Sequence, residues 1–110
     1  MTTYTLKQGD TAPVIEATLQ LAGSSIDLTG ATVKFHMADK TSGVVKVNAT
    51  ATPDPDQVTN KGKVTYTWIT ANLDTEGTYN AEWEITFVSG KIMTVPNTGY
   101  DTVTVIKELA

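Results

Sequence analysis

The chain has 110 residues, a net charge of −4 and a pI of about 4.7. Its eight basic residues are all lysines and are scattered, so it lacks the basic patch and the guanidinium forks expected of a nucleic-acid binder, and it has no basic face to dock on a membrane. With no cysteine, it can hold no disulfide, thiolate nucleophile or cysteine-based metal site.

From the N-terminus, residues 2–7 read TTYTLK. This short, threonine-rich segment can pair along an edge of its own sheet or of a neighbour's, which makes Thr2, Thr3, Tyr4, Thr5, Leu6 and Lys7 candidate interface residues. The first residues lack the apolar core of a signal peptide, and no apolar run approaches the ~20 residues of a membrane span. A weak strand is expected at 14–21, ended by the turn Ala22-Gly23-Ser24-Ser25. In 31–37, Ala31, Val33, Phe35 and Met37 alternate with Thr32, Lys34 and His36, the period of a half-buried strand. A turn at 41–43 leads to a weaker strand at 44–52. Pro53-Asp54-Pro55-Asp56 then forbids a central strand, since proline cannot donate to a ladder.

After the turn Asn60-Lys61-Gly62, residues 63–68 alternate Val64, Tyr66 and Trp68 with polar neighbours. Thr70–Thr75 has the look of one helical turn capped by Thr70. The strongest strand is 79–87, with Tyr79, Ala81, Trp83, Ile85 and Phe87 facing inward and Asn80, Glu82, Glu84 and Thr86 outward. Further strands are expected at 91–95 and 101–107. About seven short strands, no long helix and threonine in the polar slots predict an all-β chain, an immunoglobulin-like antiparallel β-sandwich forming one domain over residues 1–110. Phe35, Trp83, Ile85 and Val103 are expected to share the core, with Val64 and Leu19 nearby.

None of the candidate sites spells out a reaction. His36 is the only histidine and faces outward without a partner in sequence. Asp54 and Asp56 lack the glycine and the bidentate glutamate of a calcium loop. Glu82 and Glu84 lie two apart on one outer face, where a solvated or partner-contacting surface is expected rather than an acid–base pair. Tyr66, Trp68, Tyr79 and Trp83 occupy inward phases and read as core rather than as a sugar platform. The stretch Asp74-Thr75-Glu76-Gly77-Thr78-Tyr79 resembles the tyrosine corner of immunoglobulin-like sandwiches, with Gly77 absorbing one extra residue. Asp74, Gly77 and Tyr79 are therefore structural-corner candidates. No catalytic, cofactor or metal residues are expected, and the chain is expected not to be an enzyme.

Four stretches together carry a family resemblance: GDTAPVIEATL at 9–19, IDLTGATVKFHM at 26–37, GKVTYTW at 62–68 and GTYNAEWEITFVSGKIMTVPNTGYDTVTV at 77–105. In order and spacing they resemble the N-terminal domain of the phage baseplate upper protein family. The resemblance implies an immunoglobulin-like sandwich in a bacteriophage virion, made in the host cytoplasm. In larger members that domain anchors the protein to the tail or baseplate, while a C-terminal part carries receptor-binding proteins or fibres. It implies no cofactor, and partners that are other virion proteins or further copies of the chain. Alternative readings are a carbohydrate-binding domain or a capsid or neck decoration domain.

Overall fold

A computed structural model describes residues 2–109; the terminal residues of the expected 1–110 domain lie outside the described residues. Ten strands follow in order: β1 (Thr3–Lys7), β2 (Ile15–Thr18), β3 (Gln20–Leu21), β4 (Ser24–Ser25), β5 (Thr32–Asp39), β6 (Val45–Pro53), β7 (Lys63–Tyr66), β8 (Gly77–Thr86), β9 (Ile92–Val95) and β10 (Asp101–Ile106). A single turn of 3-10 helix, Thr70–Leu73, lies between β7 and β8. The chain is thus all-β, and its strands pack as a sandwich.

The long strands form where the sequence alternates. β5 and β8 pair antiparallel over eight residues, from Thr32 opposite Thr86 to Asp39 opposite Tyr79. Every second side chain of β8, from Tyr79 to Ile85, is buried, and its neighbours are not. The sheet runs β1-β10-β8-β5-β6-β7-β2, with β9 pairing the second half of β8. β6 carries the path from one layer to the other. Val47 to Ala51 pair with β5, whereas Thr52 and Pro53 pair with β7. Pro53 closes this strand, and the amide of Asp54 takes over the ladder by donating to the Lys63 carbonyl at 2.9 Å. All pairs are antiparallel except β1 with β10, which run parallel from Thr3 opposite Thr102 to Lys7 opposite Ile106.

The core lies between the two layers. Phe35 of β5 stacks on Tyr66 of β7 with ring centroids 4.8 Å apart, and meets Trp83 of β8 at 4.8 Å and Trp68 at 5.6 Å. Ile85, Val103, Val64 and Leu19 join the same buried cluster. Such aromatic contacts contribute about 0.5–1.5 kcal/mol each beyond their buried area.

Two local expectations differ from the structure. The run 14–21 breaks at Leu19, because the Leu19 amide donates to the Gly62 carbonyl at 2.7 Å and its own carbonyl accepts from Ile26 at 2.9 Å. Gly62 has φ +82°, and a Cβ there would lie 2.7 Å from the Leu19 carbonyl oxygen, so the crossing requires glycine. The helical turn is not capped by Thr70. Ile69 holds the extended cap position, and the Asn72 carboxamide accepts from the Ile69 amide at 3.0 Å and from the Tyr66 hydroxyl at 2.7 Å. A capping side chain can reach back from the third helical position as well as forward from the cap, and here the backward reach is the one used.

Candidate functional site

The corner before β8 is built by the chain's return into the large sheet. Tyr79 is 3% exposed, and its hydroxyl donates to the Thr75 carbonyl at 2.7 Å. Burial raises its pKa above the ordinary phenol value. Gly77 sits at φ +149°, a conformation that side chains resist, which lets the chain swing back over the ring. Asp74 is bonded to Lys46 and to the Thr75 hydroxyl, and the Lys46 ammonium is the main reason its carboxyl is held below the usual carboxylate range.

The corner also grips the end of β1. The Gly9 amide donates to the Leu73 carbonyl at 2.7 Å, and the Gln8 carboxamide donates to the Asp74 carbonyl at 2.8 Å. At its other end, the Thr2 amide donates to the Asp101 carboxylate at 3.0 Å, and the Thr2 carbonyl accepts from Thr102 at 2.8 Å. The segment Thr2–Lys7 is therefore an edge strand of its own sandwich, clamped at both ends. Leu6 is buried and Tyr4 half-buried, while Thr3, Thr5 and Lys7 are exposed. Burial, reinforced by the neighbouring Asp101 carboxylate, pushes the Tyr4 phenol up to about 12. Among the described residues β1 pairs only with β10, which leaves its second edge open there.

Glu82 and Glu84 stand on the outer face of the large sheet, half-buried. Across the β5–β8 pair, Glu82 faces His36 and Glu84 faces Lys34. The His36 ring nitrogen Nδ1 lies 3.3 Å from a Glu82 oxygen, a contact that spans 46 positions and has no signal in sequence. Threonines extend this face toward the open edge, with Thr3 beside Thr102 and Thr5 beside Thr104. On the same face, toward β6, a groove of about 400 Å³ opens over β8, β5 and β6, walled by Tyr100, Lys40, Asn48, Asn80, His36 and Glu82. Tyr100, half exposed, was not among the sequence candidates; it falls in the irregular segment between β9 and β10, outside any period-two run.

The remaining candidates are absorbed by their own loops. Asp54 accepts from the Asp56 amide at 2.8 Å, and Asp56 accepts from Thr59 at 3.0 Å and Val58 at 3.2 Å. Among the described residues, no group of three or more His, Cys, Asp and Glu side chains has the arrangement of a metal site. Tyr66, Trp68 and Trp83 are buried in the core.

Residues 2–104 match the family model of the BppU N-terminal domain, the N-terminal domain of the phage baseplate upper protein. The chain belongs to this family. No curated protein matches the sequence. Among solved structures, CopC from Methylosinus trichosporium OB3b is similar in fold, with 14% sequence identity, a TM-score of 0.59, and coverage of 100% of this chain and 89% of that one. At this identity, the likeness speaks to the fold alone. The BppU family is one of phage baseplate proteins, and no helix among the described residues is long and apolar enough to cross a membrane.

Proposed function

We propose that the chain is a non-enzymatic structural part of a bacteriophage virion, an immunoglobulin-like module that anchors to neighbouring tail or baseplate proteins or to further copies of itself. The family match across residues 2–104 is the observation that carries this reading. The mechanism is adhesion by a rigid shape. A strand edge with unpaired amides and carbonyls is either protected or used. β1 carries only one lysine across its exposed positions, and its two end clamps hold it straight for pairing or packing. The adjoining outer face presents threonines, with Glu82 and Glu84 its carboxylates on β8, so few charged groups have to be desolvated on contact.

Hydrogen exchange on the free protein and on assembled particles tests this. Amides in residues 2–7, and those around Glu82 and Glu84, should exchange more slowly in the particle. If no amide on these segments or in the loops at the sandwich ends gains protection, the anchoring role is wrong.

A further inference from the structure

We infer that the groove on the outer face binds an uncharged saccharide. This inference does not depend on the anchoring role. The groove is about 400 Å³, room for one or two sugar rings, and it is mixed in chemistry rather than apolar.

Tyr100 forms one wall and is 50% exposed although the core makes no use of it. An exposed aromatic face beside polar groups suits the C–H face of a pyranose, an amphipathic surface that water solvates poorly. Asn48 and Asn80 reach the groove from β6 and β8, and neither carboxamide makes a side-chain hydrogen bond among the described residues. Each offers donors and an acceptor on one planar group, the set that pairs with adjacent hydroxyls. Glu82 adds a carboxylate that accepts strongly from hydroxyl donors, and its contact with His36 at 3.3 Å restrains it. Ala38 lies opposite Asn80 on the neighbouring strand, and its small side chain leaves the floor open.

The charges narrow the ligand class. Among the described residues Lys40 is the single lysine in a lining that also holds the carboxylates of Asp39 and Glu82. The Asp39 carboxylate is already committed to the amides of Thr41 at 2.9 Å and Ser42 at 2.8 Å. One lysine among carboxylates is a poor seat for phosphate or a nucleotide, and a wholly apolar ligand would cover Asn48, Asn80 and Glu82 without pairing them.

The test is a two-dimensional amide NMR titration of the full chain with free hexoses, 6-deoxyhexoses and N-acetylhexosamines. Saturable shifts are expected at Asn48, Asn80, Glu82 and Tyr100 for at least one sugar class. Tyr100→Ala and Asn80→Ala should each weaken that binding at least about tenfold with an unchanged urea unfolding midpoint, while Val58→Ser, on a remote loop, should not alter it. Sodium phosphate and short peptides serve as competing probes. The inference is overturned by the absence of saturable shifts with every sugar, by shifts at these residues with phosphate or peptide alone, or by sugar shifts that survive both groove substitutions.

Discussion

The two faces of β8 differ in what their side chains touch, although they alternate along one ten-residue strand. Inward, Tyr79, Ala81, Trp83 and Ile85 are each at most 3% exposed and meet residues from both layers. Outward, Asn80, Glu82, Glu84 and Thr86 are half-buried and meet only side chains of adjacent strands and the open groove. The inner face holds the sandwich together, and the outer face is the one on which the proposed contacts with other molecules rest. A one-residue slip in register would exchange the two roles entirely.

The sharpest way to break this comparison is Trp83→Ala. The substitution empties one flank of the aromatic cluster centred on Phe35, where Trp83 is 1% exposed and its ring centroid lies 4.8 Å from that of Phe35. A loss of about 3–5 kcal/mol is expected from urea unfolding midpoints. Trp83→Phe should cost clearly less, because it keeps a ring and removes an indole N–H that is buried without a partner among the described residues. Equal costs for the two would mean that the ring is not what fills the core.

Next in size is the corner. Tyr79→Ala should cost ~3 kcal/mol and Tyr79→Phe about 1 kcal/mol, the second figure being one hydrogen bond to the Thr75 carbonyl. Because Leu73 and Asp74 also hold Gly9 and Gln8, the alanine variant should speed amide exchange in β1 as well. Normal protection of β1 in that variant would show the corner and the edge to be independent.

A smaller effect should appear on the alkaline side. The Tyr4 phenol is pushed up to about 12 from an unfolded value of 10.0, and burial raises those of Tyr66 and Tyr79 as well. For an acid whose folded pKa is raised, the neutral form is the one favoured by folding. The contribution is complete below pH 10 and is lost as pH climbs toward the folded value. Melting temperature should therefore fall between about pH 10 and pH 12, and Tyr4→Phe should flatten part of that fall. A melting temperature that is level over this window would mean that the phenols are no less solvated in the folded chain.

These regions were unequally legible in sequence. The alternation in 31–37 and 79–87 shows the inward and outward sets directly, because a strand's side-chain period is a local property. Tyr79 could be singled out because its corner lies within a few residues of it. The partners across the sheet carry no such signal. That Thr3 lies beside Thr102 and His36 beside Glu82 depends on which strands become neighbours, a property of the whole chain. The parallel pairing of β1 and the place of Tyr100 in the groove wall are hidden for the same reason. The cap of the helical turn was misread because Thr70 has the right chemistry but Ile69 holds the cap position, leaving Asn72 to reach back.

The smallest expected effect is the one that most sharpens the contrast between the faces. Glu82 contacts His36 across the strands and Glu84 stands opposite Lys34 in the register, and such half-solvated pairs contribute little, since charges give up hydration and rotamer freedom to meet. Glu84→Gln keeps the shape and removes the charge, and should change stability by no more than about 0.5 kcal/mol, as should Glu82→Gln. The double variant should add within a similar margin, because the two face different partners on β5. A loss above ~1.5 kcal/mol for either would place the outer face among the supports of the fold rather than among its contact surfaces. If stability is unchanged, any difference the variants show in assembled particles comes from a contact with another molecule, because the sandwich presenting the face is the same.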